Sequence, residues 1–393
     1  MRRLSKREVV GEVRTPAFII DEAEIRSSSG RLRQLADDVG CKLLFSLKPL
    51  AVEQAVRIIG EFVDGFSASS FFEASLAREI LGDLGSLHLC TPGIRRDEIR
   101  KLAQLCDYVV FNSISQWDHF QPEIRGRAQS GIRLNPELSF VADRRYDPCR
   151  RFSRLGVSVG DLIHAFEGTR RKDLSGIHFH TNCDSENFSE LLQTVVATDR
   201  HLSPILEDLR WVNMGGGYIF AEGGVFDDFR RSVDVIRRNR DLEVFFEPGA
   251  SFVRSAGFVV SSVLDIVARD EKQIAILDTT VNHMPEVFEY QFEPDVAEHV
   301  NDGKYEYILA GCSCLAGDLF GEYAFDRPLK IGSRITFENV GAYTLVKANM
   351  FNGINLPSIY LLDQTGDLEL IKQFSLEDFV SRFTLPLIQY ANS

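Results

Sequence analysis

Positive charge is what this chain has least to spare. Its 393 residues include 44 Lys and Arg against 57 Asp and Glu, a formal net charge of -13. Nucleic-acid binding needs concentrated basic surface, so this balance argues against it, while a small cationic substrate is compatible with it. Long apolar runs are also missing, and no segment reaches the length of a membrane span. The opening Met1-Arg2-Arg3-Leu4-Ser5-Lys6-Arg7-Glu8 is basic but is not followed by an apolar stretch, so no secretion signal is expected. The seven cysteines, an odd number, show no framework spacing, which predicts reduced thiols and a cytoplasmic protein. Repeats, low-complexity tracts and disordered linkers are absent too. What remains, at 44% hydrophobic and 26% charged residues, reads as an ordinary globular protein long enough for two domains.

The pattern along the chain gives those domains a form. After a strand-like Thr15–Asp21, Asp21 can cap a helix running to about Val39 and closed by Gly40. The apolar run Leu43-Leu44-Phe45-Ser46-Leu47-Lys48 reads as a buried strand ending just after Lys48, since Pro49 cannot continue an interior ladder. Strands alternating with helices follow, at Val63–Ser67, Leu87–Thr91, Tyr108–Phe111, Gly131–Leu134, Leu174–His180, Leu209–Met214 and Glu243–Glu247. Eight such strands predict an α/β fold with a closed (β/α)8 barrel over residues 23–251. Past Pro248-Gly249 the texture becomes mostly β, which predicts a second domain built from residues 252–393 together with 1–22.

In a barrel of this kind the chemistry sits at the C-terminal strand ends, which is where Lys48, His180, Gly215-Gly216-Gly217 and Glu247 fall. Lys48 is either a side chain that snorkels out of a strand end or an amine suited to a Schiff base. The three glycines suit a plain turn or backbone N–H groups approaching a phosphate. Glu247, ending an apolar strand, is either half of a structural ion pair or the acceptor for a cofactor ring nitrogen. His178 and His180 share a strand face and, with Cys183, suggest zinc, although no fourth ligand is identifiable; a stacking imidazole or a hydrogen-bonded core histidine are the alternatives. In the β domain, Cys312-Ser313-Cys314 has neither redox nor zinc spacing, and Cys314 is a catalytic acid or nucleophile or a free buried thiol.

These segments in this order resemble the fold type III pyridoxal-phosphate decarboxylases, an alanine-racemase-like barrel paired with a β domain. Gly65-Phe66-Ser67-Ala68-Ser69-Ser70, Tyr146-Asp147-Pro148-Cys149, Ser153-Arg154-Leu155-Gly156, Gly176-Ile177-His178-Phe179-His180 and Trp211–Gly217 carry the likeness in the barrel. His283-Met284-Pro285, Cys314-Leu315-Ala316-Gly317-Asp318, Gly321–Asp326 and Phe351-Asn352-Gly353-Ile354 extend it, and the polyamine branch, the carboxynorspermidine/carboxyspermidine decarboxylases, is the most similar. The resemblance implies that pyridoxal phosphate is bound to Lys48 as a Schiff base and that His180 stacks on its ring. It implies further that Gly215, Gly216, Gly217 and Tyr343 hold the phosphate, that Glu247 meets the ring nitrogen, and that Glu73 and Arg133 line the pocket. Cys314 would reach in from the partner subunit of a homodimer. Asp184, Asp278 and Asp318 are the candidate acceptors for substrate ammonium groups, and no resident metal is expected.

Leu315 is informative about substrate. Ornithine decarboxylases of this type carry aspartate and diaminopimelate decarboxylases glutamate directly after the cysteine, whereas the polyamine branch carries leucine. Departures from the branch also occur. Ala250 follows Glu247-Pro248-Gly249 where the branch has glutamate, Asp184 replaces another glutamate, Pro49 follows the lysine, and the stretch before His283 is one residue shorter. Another amino acid as substrate is the alternative these departures raise, and a non-catalytic homologue is a further one.

Overall fold

The computed structural model describes residues 6–166, 172–219, 226–238 and 240–383. The chain forms two units, one spanning Arg26–Phe252 and the other combining the residues up to Ile25 with those from Val253 onward.

The second unit holds strand β1 (Ala17–Asp21), which pairs antiparallel with β10 (Gly257–Arg269) and parallel with β15 (Ser358–Leu362). Around them an eight-stranded sheet runs β13–β12–β11–β10–β1–β15–β16, with β14 (Arg334–Phe337) also on β10. Here β11 is Lys272–Leu277, β12 Tyr305–Ala310, β13 Leu319–Phe325 and β16 Leu368–Lys372. Val9, Val13, Ala17, Ile19, Phe258, Val260 and Leu362 form one of its cores. Asp21 caps the following helix as expected, its Oδ1 accepting from the Ala23 N–H at 2.9 Å.

The first unit is a closed parallel barrel of eight strands. These are β2 (Lys42–Ser46), β3 (Gly65–Ala68), β4 (Ser86–Cys90), β5 (Tyr108–Phe111), β6 (Gln129–Leu134), β7 (Gly176–Phe179), β8 (Trp211–Asn213) and β9 (Glu243–Phe246). Serines at the strand-to-helix junctions satisfy helix N–H groups that have no intrahelical acceptor: Ser70, Ser113 and Ser158 each accept from the amide three residues on. Strands β2, β7, β8 and β9 end one or two residues before the expected ends. β2 stops at Ser46, so Lys48 lies in the turn beyond it. His180, Gly215 and Glu247 likewise follow the last residues of β7, β8 and β9.

Strand alternation divides the apolar residues. Phe246 points outward, meeting Phe188 and Phe229 on the helical side at ring separations of 6.1 and 4.9 Å. Phe245 points into the lumen and joins Leu44, Tyr108, Val110 and Trp211 in one buried cluster. His88 lies in this layer, stacked on Tyr108 at 4.0 Å. Trp211 fits because its neighbours in register across β7 and β6 are Gly176 and Gly131. A Cβ on Gly176 would sit 2.1 Å from the indole, and one on Gly131 2.3 Å.

Gly176→Ala should therefore overpack the lumen and lower stability by about 1–3 kcal/mol, read as a lower urea midpoint at unchanged m-value. A midpoint equal to the parent's would show that Trp211 has room to move.

Candidate active site

The row that places Gly131, Gly176 and Trp211 side by side fixes the next row up. Two residues on, and therefore on the same lumen face, Arg133 is in register with His178 and His178 with Asn213. Glu247 follows Phe245 by two and faces this row. Its carboxylate accepts from His178 Nε2 at 2.8 Å on one oxygen and from Asn213 Nδ2 at 2.9 Å on the other. Asn213 Oδ1 accepts the Gly215 N–H at 2.8 Å, and Gly215 O accepts the Glu247 N–H at 2.9 Å, which closes a small ring of hydrogen bonds. Cys90, at the end of β4, puts its sulfur 3.8 Å from His178 Nδ1.

Burial by itself would raise the Glu247 pKa, but the charge and hydrogen bond of His178, with His180 and Asn213, hold it well below the usual carboxylate range. For His178, burial works downward and is overcome by Cys90 and Glu247, which hold the imidazole up at about 9. The Cys90 thiol is lowered, since the neighbouring His178 outweighs its burial. The barrel core thus contains an ion pair, and its positive member is inside the protein.

His180 behaves in the opposite way. Its pKa lies well below normal because of burial and the positive charges of Lys48, Arg133 and His178 around it. The neutral ring accepts the Gly216 N–H on Nδ1 at 3.1 Å, which fixes its plane. The Lys48 turn is pinned from both sides, by Ser46 N–H to Pro248 O at 3.2 Å and Leu47 N–H to Ser67 O at 3.0 Å. Gly249 fits under Pro49, where a Cβ would come within 2.9 Å of the proline ring. Lys48 itself is exposed.

The glycine run does something different from what its composition suggests. The N–H groups of Gly215 and Gly216 are already bonded to Asn213 and His180, so they are not free to cradle a phosphate. Glycine is required there by close backbone approach: a Cβ on Gly216 would be 2.4 Å from Glu247 O, and one on Gly217 2.0 Å from Asn182 O. Among the described residues, Gly217 N–H has no partner and remains the candidate donor.

Several other expected residues have structural duties. Glu73 is the third residue of its helix and its carboxylate accepts the Ser69 N–H at 2.6 Å, a capping role rather than a pocket-lining one. In the β unit, Asp318 is 3% exposed and both its oxygens accept backbone N–H groups, from Val281 at 2.8 Å and Ser313 at 2.9 Å. Its carboxylate shapes the loop that carries Cys314 and is not available to a substrate ammonium. Asp278 Oδ1 is similarly committed to Ser261 and Ser262. Asp184, by contrast, is exposed, with a left-handed φ of 54° on the loop after β7.

Cys314 is exposed, not the buried thiol that its type suggests, and its N–H is held by Asn352 Oδ1 at 2.8 Å. Tyr343 has a left-handed φ of 59°, and the Lys347 ammonium lies 5.7 Å from its ring centre. Cys183 is partly buried, and among the described residues no group of three or more His, Cys, Asp and Glu could hold a metal ion. Asn213 and Cys90 were not singled out from the sequence. The available signal was parity: Asn213 lies two residues after Trp211, as His178 does after Gly176.

Comparison with known proteins agrees with this architecture. Residues 18–341 match the family described as "Pyridoxal-dependent decarboxylase, C-terminal sheet domain". The carboxynorspermidine/carboxyspermidine decarboxylase of Campylobacter jejuni is 35% identical, over 94% of this chain and 99% of that protein. The carboxyaminopropylagmatine decarboxylase of Synechocystis is 32% identical, over 94% of this chain and 95% of that protein. Among solved structures, carboxynorspermidine decarboxylase of C. jejuni complexed with norspermidine superposes with a TM-score of 0.86 at 33% identity, covering 94% of this chain and all of that one. The chain belongs to the pyridoxal-dependent decarboxylases of the barrel-plus-sheet fold. It is an enzyme of that class, and pyridoxal phosphate is its cofactor.

The barrel fits that group. An exposed lysine amine would be available to the aldehyde, and a buried carboxylate to the ring nitrogen. A neutral imidazole with a fixed plane, the Arg133 guanidinium and a Gly217 N–H that has no partner among the described residues would complete the set.

The ion pair sets a pH dependence. The lowered Glu247 contributes stability above its ordinary value of 4.5, lost as pH falls below it, while the raised His178 contributes below 6.5 and loses that contribution as pH rises towards about 9. The stability lost in His178→Leu, about 3–5 kcal/mol, should thus be widest between pH 4.5 and 6.5 and shrink towards pH 9. Denaturant titrations of both proteins across that range check it: a difference that narrows as pH falls below 6.5 would show His178 to be neutral in the fold, and a constant one would show its pKa to be unshifted.

Proposed function

We propose that the enzyme decarboxylates a carboxylated polyamine, converting carboxynorspermidine or carboxyspermidine to norspermidine or spermidine. The observation that carries this reading is Leu315, an apolar residue in the position next to Cys314. A second charged group on a short substrate, as in ornithine or diaminopimelate, would call for an acid there. Relatives named for carboxylated polyamines, aligned over nearly the full length, support the same substrate class. The carboxyaminopropylagmatine relative favours a second reading, in which the tail ends in a guanidinium.

Bound pyridoxal phosphate supplies the electron sink for the carbanion left when carbon dioxide departs. The chain's residues make that sink effective. Lys48 is the amine that holds the aldehyde carbon. Glu247, kept ionised, would accept a hydrogen bond from the protonated ring nitrogen, which favours keeping that proton on the ring. His180 presents its flat neutral face, and Gly217 N–H with Arg133 and Tyr343 are the phosphate donors. In this reading two copies associate as a homodimer, each lending the exposed Cys314 to the other's barrel, where its thiol delivers a proton to the substrate α-carbon. Asp184 is the remaining carboxylate candidate for an ammonium of the tail.

Lys48→Ala should lose the visible absorbance of bound cofactor together with carbon dioxide release. Wild type should release carbon dioxide from carboxynorspermidine, carboxyspermidine or carboxyaminopropylagmatine but not from ornithine, lysine or diaminopimelate; turnover confined to the latter three would refute the substrate class. Cys314→Ala should keep the absorbance and lose about 10²–10⁴-fold in turnover or divert protonation. Mixing it with Lys48→Ala should restore activity in hybrid dimers. No recovery despite demonstrated subunit exchange would place Cys314 in its own subunit's site or in none.

A further inference from the structure

Glu247 has the requirement hardest to meet in the barrel. A buried carboxyl group is more stable protonated, yet the role proposed for it needs an ionised oxygen held at a fixed angle. The structure shows what meets this requirement. An ionised carboxylate only accepts hydrogen bonds, so His178 Nε2 must carry a hydrogen along the 2.8 Å contact. The other nitrogen, Nδ1, faces the Cys90 sulfur at 3.8 Å, which can accept from an imidazolium or donate to a neutral ring, so Cys90 is compatible with the required tautomer in either state. Asn213 cannot turn its amide over, because Gly215 N–H holds its Oδ1 at 2.8 Å; its Nδ2 therefore always points at Glu247. His178, 1% exposed, touches Glu247 and Cys90 from within the lumen, below the open end of the barrel where Lys48 lies.

We propose that His178 and Asn213 are positioning residues, which hold Glu247 ionised and aimed for the cofactor's ring nitrogen, with Cys90 fixing the imidazole from behind. The inference rests on the reading of Glu247 as the ring-nitrogen partner, and it adds three residues to it. It requires that the effect of losing His178 pass through Glu247.

A double-mutant cycle on apoprotein reloaded with pyridoxal phosphate tests this, reading cofactor affinity and the visible band of the bound form. Glu247→Gln should weaken affinity and shift the band; if it does neither, the reading of Glu247 fails, and this inference with it. His178→Leu should weaken affinity roughly tenfold in the parent but by less than about threefold in the Glu247→Gln background. Equal losses in both backgrounds would show that His178 is only a packing residue, and the proposal would be overturned. His178→Gln, which keeps a neutral N–H near the same place, should retain part of the affinity and provides the same cycle if the leucine variant does not fold. Asn213→Asp keeps the acceptor for Gly215 but sets a second carboxylate against Glu247, so it should weaken cofactor binding more than Asn213→Leu does; the reverse order would also overturn the assignment. Cys90→Val, which removes the partner of His178 Nδ1, should weaken cofactor affinity in the same direction as His178→Leu but by less, and an unchanged affinity would remove Cys90 from the assignment.

Discussion

A charged carboxylate inside a barrel lumen is the constraint on which the rest of this structure turns. Removing Glu247 from water costs several kcal/mol, and that cost is offset only because an imidazolium and an amide meet it in good geometry. Those partners come from neighbouring strands, so the carboxylate depends on the register of β7, β8 and β9. The register depends in turn on Trp211 lying over two glycines in the row beneath. Packing below thus sets the electrostatics above. A one-residue slip of β7 would turn His178 out of the lumen and leave Glu247 without its positive partner.

The two histidines of one short segment show how environment divides identical side chains. His178, between a carboxylate and a thiol, is held positive, while His180, among Lys48, Arg133 and His178, is held neutral. They are two residues apart, and the difference lies in what faces them. A neutral, flat ring next to a lysine amine suits contact with an aromatic cofactor; a positive ring next to a carboxylate suits holding that carboxylate ionised.

The β unit follows a comparable logic with backbone in place of side chains. Asp318 spends both oxygens on loop N–H groups, and Asn352 holds the amide of Cys314. The thiol is thereby left exposed on an ordered loop. An acidic residue near a reactive group suggests contact with substrate or cofactor when read in one dimension, yet Asp318, Asp278 and Glu73 all accept backbone N–H groups. Which role a carboxylate has depends on whether unpaired N–H groups come within reach, and that is a property of folded loops.

Much of the architecture was legible in the chain itself. Apolar runs alternating with helical periods, the Asp21 cap and the shift in texture after Pro248 follow from local preferences, and these gave the barrel, the separate β region and the positions of Lys48, His180, Gly217 and Glu247 near strand ends. Strands β13 and β16 were harder to read: one carries a register shift that leaves Phe320 without a partner on β12, and the other is a largely exposed edge. Local sequence determined which residues could reach the open end of the barrel, because strand parity and turn chemistry are short-range. Only the tertiary structure decided that Glu247 would meet His178 and Asn213, 69 and 34 residues away. It also decided that two of the three glycines would serve close packing and not anion binding. Those outcomes depend on barrel closure and register, which bring distant strands to hydrogen-bonding distance and which no local pattern encodes.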